Sequence, residues 1–246
     1  MKRNIFLLII ILFCASNLFA QPTNDYINNM EGTTFVFSVP PIVSSVDKSE
    51  DEVVITIISQ EHTNVNVTAR YGFVKLLEMK PFEKVTVSLP TYAAFPYQKS
   101  SKDKVVEEAI YDAAIRIEAT KPISVSVAVK NDKGGEGFAV LPIESLGRKY
   151  IVSSFNDASN YYSDAESLPS IVAITANYGN THVRFKLGGN LETKTAGGVP
   201  VGNEISAILS PGEVWVISSS GANADLSGSK IEANLPISVV SANQCT

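Results

Sequence analysis

Apolar and polar residues alternate along most of this chain in short runs. The run "ISVSVAV" puts Ile123, Val125, Val127 and Val129 on one side and Ser124, Ser126 and Ala128 on the other. A period of two is the pattern of a strand that buries one face. The runs "FVFSVP", "EVVITIIS", "TNVNVTARYG" and "KVTVSLP" precede it, and "GFAVLP", "SIVAITA", "THVRFKLGG" and "EISAILSPGEVWVISSS" follow it in matching order. Turn residues such as Gly179 and Asn180 separate neighbouring runs, as short antiparallel strands require. Only "KDKVVEEAIYDAAI" carries a helical pattern, and it is short. The pattern predicts an all-β protein.

The matching order is anchored by a string that occurs twice. "IEATKPISV" begins at Ile117 and "IEANLPISV" at Ile231, so Ile117, Glu118, Ala119, Pro122 and Ile123 are met again by Ile231, Glu232, Ala233, Pro236 and Ile237. The string reads as a hairpin, with Thr120 and Lys121 in the turn and Pro122 opening the second strand, where a missing N–H costs little. Val239 and Val240 break the alternation of the second copy, which predicts a bulge or a strand buried on both faces. Two tandem, similar antiparallel β-sandwich-like units follow from the repeat, over 33–131 and 132–246, joined at "KNDKGGEG".

Composition agrees: charged residues are 18%, below the usual quarter, and 45% of the chain is hydrophobic, enough to bury one large core or two smaller ones. The first twenty residues stand apart. Lys2 and Arg3 precede "IFLLIIILFCA", about half of the roughly 20 residues that span a bilayer, and small Ala20 closes "SNLFA". This is the pattern of a secretory signal peptide, with residues 21–32 as an extension before the first unit. No second apolar segment follows, so no transmembrane segment is expected in the mature chain.

Cleavage removes Lys2 and Arg3 and leaves 18 basic against 25 acidic residues, a net charge of −7, which repels nucleic acid. It also removes Cys14 and leaves Cys245 without a mate in the mature chain. Either Cys245 is a free thiol or its partner lies outside this chain segment. The second is the expectation, because a strand-like run stops at "NQCT" with no terminal cap.

Several stretches resemble the N-terminal domain of the IgGFc-binding protein family, found in bacterial secreted proteins and animal mucus proteins. They are "GTTFVFSVPP", "LPIESLGRKYIVSSF", "GEVWVISS", "DLSGSKIEANLPISVVSANQC" and the "KPISV" of the first unit. The resemblance implies a non-catalytic extracellular recognition or adhesion module, secreted or at the cell surface. It also implies that further cysteine-bearing sequence follows Cys245. No residue is assigned to antibody contact by it.

Candidate chemistry is sparse. His62 and His182 have no paired spacing, no G-x-S-x-G elbow occurs, and "DKGGEG" lacks the G-K-[ST] of a phosphate cradle. His182 is expected to point outward from its strand and Trp215 to face a core. Asn66 lies in "NVT" but inside an expected strand, which makes it a poor glycosylation acceptor. Asn156, Asp157, Asn160 and Asp164 place four oxygen-bearing side chains in one loop, a donor set of the hard kind that Ca²⁺ takes, though at no EF-hand spacing; calcium is the one cofactor to test. Tyr92, Phe95 and Tyr97 collect in "LPTYAAFPYQ", and Tyr161 and Tyr162 in the acidic loop; exposed rings of this kind grip sugar or peptide surfaces. The expected function is binding of extracellular protein or glycan through loops at the sandwich ends, with no enzymatic activity. A structural spacer is the alternative, and an exported hydrolase using paired carboxylates a weaker one.

Overall fold

The computed structural model describes residues 30–42, 52–98, 104, 106–131, 134–161, 167–221 and 223–244. The expected signal peptide, most of the expected extension, Tyr162, Asp164 and Cys245 lie outside the described residues. In chain order the strands of the first half are β1 (Glu31–Phe37), β2 (Glu52–Ser59), β3 (Thr63–Ala69), β4 (Phe73–Met79) and β5 (Glu83–Pro90), then a helical turn α1 (Thr91–Ala94), β6 (Ala109–Asp112) and β7 (Ile115–Asn131). The second half has β8 (Gly134–Val140), β9 (Lys149–Ile151), β10 (Ser170–Ala176), β11 (Thr181–Lys186), β12 (Lys194–Thr195), β13 (Glu204–Leu209), β14 (Glu213–Ser220), β15 (Lys230–Ala233) and β16 (Ile237–Asn243).

The long strand β7 builds the first sandwich by belonging to both of its sheets. Its first half lies between β3 and β1, where Ile117 faces Val67 on one side and Phe35 on the other. Its second half lies between β2 and β8, where Val127 faces Ile55 and Phe138. β4 extends the first sheet past β3, and β5 extends the second past β2. Phe35, Phe37, Ile55, Ile57, Leu89 and Ile117 are fully buried between the sheets. Each such side chain contributes about 1.5–3 kcal/mol by leaving water.

The second half repeats this wiring. β11 pairs with β13 and β15 as β3 pairs with β4 and the first half of β7. β10 pairs with β14 and β16 as β2 pairs with β5 and the second half of β7. Val183, Phe185, Ile174, Trp215 and Ile231 fill the second core, with Trp215 only 4% exposed.

The repeated string is therefore not a hairpin, and that expectation is corrected. Its IEA half and its PISV half pair with different strands in opposite sheets, and the chain between them turns a corner. Thr-Lys supplies neither residue of the left-handed backbone that a tight two-residue hairpin turn needs, and neither Thr120 nor Lys121 has positive φ. Side chains replace the ladder at the corner. Thr120 Oγ1 accepts from the Asn64 N–H at 3.0 Å, and Thr63 Oγ1 accepts from the Lys121 N–H at 3.0 Å. The second copy places Asn234 at the position of Thr120, and Asn234 Oδ1 accepts from the His182 N–H at 2.8 Å. A short polar residue four places into each string thus satisfies a main-chain donor that the bend would otherwise strand.

Strands also cross between the halves. β8 completes the first sandwich against β7, and β6 adds to the second beside β14, with Ile110 opposite Trp215. The helix expected over "KDKVVEEAIYDAAI" is corrected here: its residues Ala109–Asp112 form β6. A helical segment this short is marginal in water, and edge pairing to β14 outweighs its propensity. The glycines of "KGGEG" serve strand pairing, since a Cβ on Gly135 would lie 2.8 Å from the Val129 carbonyl oxygen and one on Gly137 2.7 Å from that of Val127.

A third apolar cluster seals the seam. Ile171, Ala173, Val214 and Val216 face away from the second core and pack with Ala113, Tyr97 and Tyr111 of the first half. All seven residues of β10 are buried as a result, which explains why "SIVAITA" lacks alternation. β16 runs in continuous register with β10, so Val239 and Val240 form no bulge. Val239 packs on the second core, and Val240, on the opposite face, is half-buried.

Candidate functional site

The loop after β5 sorts its aromatic residues by depth. Pro90 is extended and Thr91–Ala94 makes a single helical turn, closed by Phe95 N–H to Thr91 C=O at 2.9 Å. That turn drives Ala93, Ala94 and Phe95 inward, Phe95 to 1% exposure in the first core, and leaves Tyr92 outside at 58%. Tyr97 goes to the seam, its ring 5.6 Å from that of Tyr111 and its hydroxyl accepting from Gln244 Nε2 at 3.1 Å. Burial raises the Tyr97 hydroxyl well above the ordinary tyrosine range, opposed in part by hydrogen bonds, and burial raises Tyr111 too. Phe95 and Tyr97 therefore pack into structure, Tyr97 partly buried, and of the three grouped aromatics Tyr92 is the exposed one.

Tyr92 has a neighbour that the sequence reading passed over. The turn between β3 and β4 carries Tyr71, 73% exposed, with its ring centroid 6.0 Å from that of Tyr92 and the planes inclined by 51°. Tyr71 stands at φ 54°, in the left-handed region that a bulky residue occupies at a cost of order 1 kcal/mol or more. Arg70 fixes the arrangement. Its guanidinium lies 4.9 Å from the Tyr71 ring centre, and its Nη1 donates to the Phe95 carbonyl at 3.0 Å and the Pro96 carbonyl at 2.6 Å. One side chain thus ties the β3–β4 turn to the α1 loop and braces one face of Tyr71. The available signal was "ARYG", an aromatic directly before a turn glycine.

The acidic loop is committed to its own folding. Asp157 is 4% exposed, and its Oδ1 accepts from the Ser159 N–H at 2.8 Å and from the Ser159 hydroxyl, closing the turn Ser159–Tyr161. Its N–H donates to the Ala224 carbonyl at 2.8 Å. Asn160 Nδ2 donates to Asn223 Oδ1 at 3.0 Å, and the Asn156 carbonyl accepts from Asn243 Nδ2 at 2.8 Å. Among the described residues no three His, Cys, Asp or Glu side chains gather at metal-binding distance. Asp157 and Asn160 thus spend side-chain groups on the loop itself and on Asn223, and the fourth member of the calcium set, Asp164, lies outside the described residues. Tyr161 is 72% exposed on the same loop, and its expected companion Tyr162 lies outside the described residues.

The histidines sit on outer faces. His62 Nε2 is 3.1 Å from Glu78 Oε1 in an exposed pair, and His182 is exposed on β11. A shallow groove of about 550 Å³ lies over β4, β3 and β7, lined among others by Asn66, Leu76, Glu78 and Glu118. Glu78 and Glu118 are exposed on this sheet face, Asn66 is half-buried with its Oδ1 turned away from solvent, and no nucleophile is set against a base.

Comparison with known proteins supports the resemblance read from the sequence. Residues 136–246 match the family model described as IgGFc binding protein. The human IgGFc-binding protein is 27% identical over 205 residues, which is 83% of this chain and 3% of the human protein. The chain thus spans a small fraction of that relative's length. No solved structure matches. Among the described residues no helix is long and apolar enough to cross a membrane.

Proposed function

We propose that this protein is an extracellular recognition module, exported by residues 1–20, that binds protein or glycan through loops at one end of its first sandwich. The observation that carries the reading is the braced pair Tyr71 and Tyr92, two exposed rings held in place by Arg70. Exposed aromatic side chains on a rigid scaffold are the commonest anchors of recognition surfaces. The similarity to a protein whose name states that it binds IgG Fc supports a binding role. The mature chain, immobilised, is to be tested against IgG Fc and a panel of extracellular glycans by surface plasmon resonance. The double variant Tyr71→Ser/Tyr92→Ser is expected to weaken capture at least about tenfold, the loss typical of aromatic anchors. Unchanged capture by that variant would move the site elsewhere.

The alternative, a stiff spacer in a larger surface protein, draws on the crossed strands β6 and β8, which tie the halves together. A spacer retains its phenotype when both tyrosines are removed.

A further inference from the structure

Resting on that reading of the site, we infer that the ligand seated on Tyr71 and Tyr92 is a neutral saccharide unit, stacked by an apolar C–H face. Three features of the site select this class. The first is size. The two loops expose the rings of Tyr71 and Tyr92, and on the α1 side the apolar surface ends there, because Ala93, Ala94 and Phe95 are buried; Val74 and Leu76 of β4 are exposed apolar side chains that follow the Tyr71 turn. A stable protein partner needs roughly 800 Å² on each side, whereas one or two aromatic rings cover a hexose.

The second is chemistry. Both anchors are tyrosines, whose rings offer a face to C–H groups and whose hydroxyls both donate and accept, matching the alternation of apolar faces and hydroxyls around a sugar ring. The inclination of 51° at 6.0 Å makes a bent surface with one ring turned toward the flank of whatever rests on the other. The third is charge. Arg70 covers one face of Tyr71 and spends its Nη1 on the Phe95 and Pro96 carbonyls. It acts as a brace, and the two rings themselves offer only uncharged contacts.

The strained backbone supplies a control. Tyr71 at φ 54° precedes Gly72 at φ 73°, and nothing lies within 4 Å of where a Cβ on Gly72 would stand. Glycine takes the φ of position 71 without steric strain, so Tyr71→Gly removes the ring and relieves the backbone at once.

Saturation-transfer NMR on the full mature chain tests the inference with methyl β-galactoside, methyl β-glucoside and a short peptide containing proline and phenylalanine. Transfer to the ring C–H protons of at least one glycoside is expected, with at least tenfold weaker binding by Tyr71→Gly at an unlowered melting temperature. Tyr92→Ser is expected to lose binding likewise, while Tyr71→Phe keeps most of it. Binding of the peptide and neither glycoside, abolished by the same variants, would overturn the saccharide class and leave the end-loop reading standing. Binding of no probe, or glycoside binding indifferent to both variants, would overturn the inference.

Discussion

The turn joining β4 to β5 and the turn joining β13 to β14 are the same turn with two residues exchanged, one of them at a left-handed position. Lys80-Pro81-Phe82-Glu83 aligns with Ser210-Pro211-Gly212-Glu213, and in both the glutamate Oε2 accepts from the N–H three residues earlier at 2.7 Å. The third position has positive φ in each, 60° at Phe82 and 87° at Gly212. Glycine fits that backbone freely. The first sandwich instead carries an aromatic there, 83% exposed, as it carries Tyr71 at a second left-handed position. The two halves keep one wiring diagram, and they differ in where the first half places exposed rings on backbone that the fold would rather give to glycine. Strain of this kind persists where something other than folding retains it.

The comparison can be broken most severely at the paired corner strands. Ile117 and Ile231 are both fully buried at equivalent positions, so Ile117→Ala and Ile231→Ala are each expected to cost about 2–5 kcal/mol by urea denaturation, to within the scatter of that range. A trivial loss at one of them would show that the copies are not structurally equivalent. The corner hydroxyl comes next. Thr120→Val removes the acceptor of the exposed Asn64 N–H and is expected to cost about 0.5–1.5 kcal/mol, while Thr120→Asn, copying the second half, should recover most of it.

Alkaline pH separates the seam from the cores. Burial raises Tyr97, and also Tyr111 and Tyr150, above the ordinary tyrosine value of about 10. Below pH 10 both folded and unfolded chains keep these protons and stability is whole. Above it the unfolded chain ionises first, so stability falls as pH rises, by at most about 1.4 kcal/mol per pH unit for Tyr97 and by less for the more solvated Tyr111 and Tyr150. Tyr97→Phe should flatten the fall measured by denaturation between pH 9 and 11. Smallest is the exchange at the matched turn. Phe82→Gly should stabilise by up to about 1 kcal/mol, and Gly212→Phe should destabilise by a similar amount, because a Cβ there meets only Asp112 Oδ1 at an ordinary 3.5 Å.

Much of the fold was legible because a period of two in hydrophobicity is a direct trace of a half-buried strand. β2, β3, β7 and β11 all show it, and the doubled IEA-x-x-PISV string marks the duplication. What escaped is what the pattern does not encode. Alternation says that residues 115–131 are extended but not that they change partners midway, so a corner was read as a hairpin. β6 looked helical because its partner, β14, lies about a hundred residues away in sequence. Of the candidate site, Tyr92 was found by residue type alone, while Phe95 and Tyr97 were grouped with it because composition carries no depth. Tyr71 was missed because its interest lies in backbone conformation and in the reach of Arg70 to two carbonyls, neither visible in a string of letters.

The central claim is that two similar sandwiches, each lending the other a strand, melt as one body. Trp215 is the sole tryptophan and lies in the second core. Its fluorescence therefore reports on the second sandwich while the first is weakened by Phe35→Ala, a fully buried change in the first core. The account predicts one transition whose midpoint falls with that substitution. A Trp215 transition that stays where it was while the first half unfolds separately would contradict it.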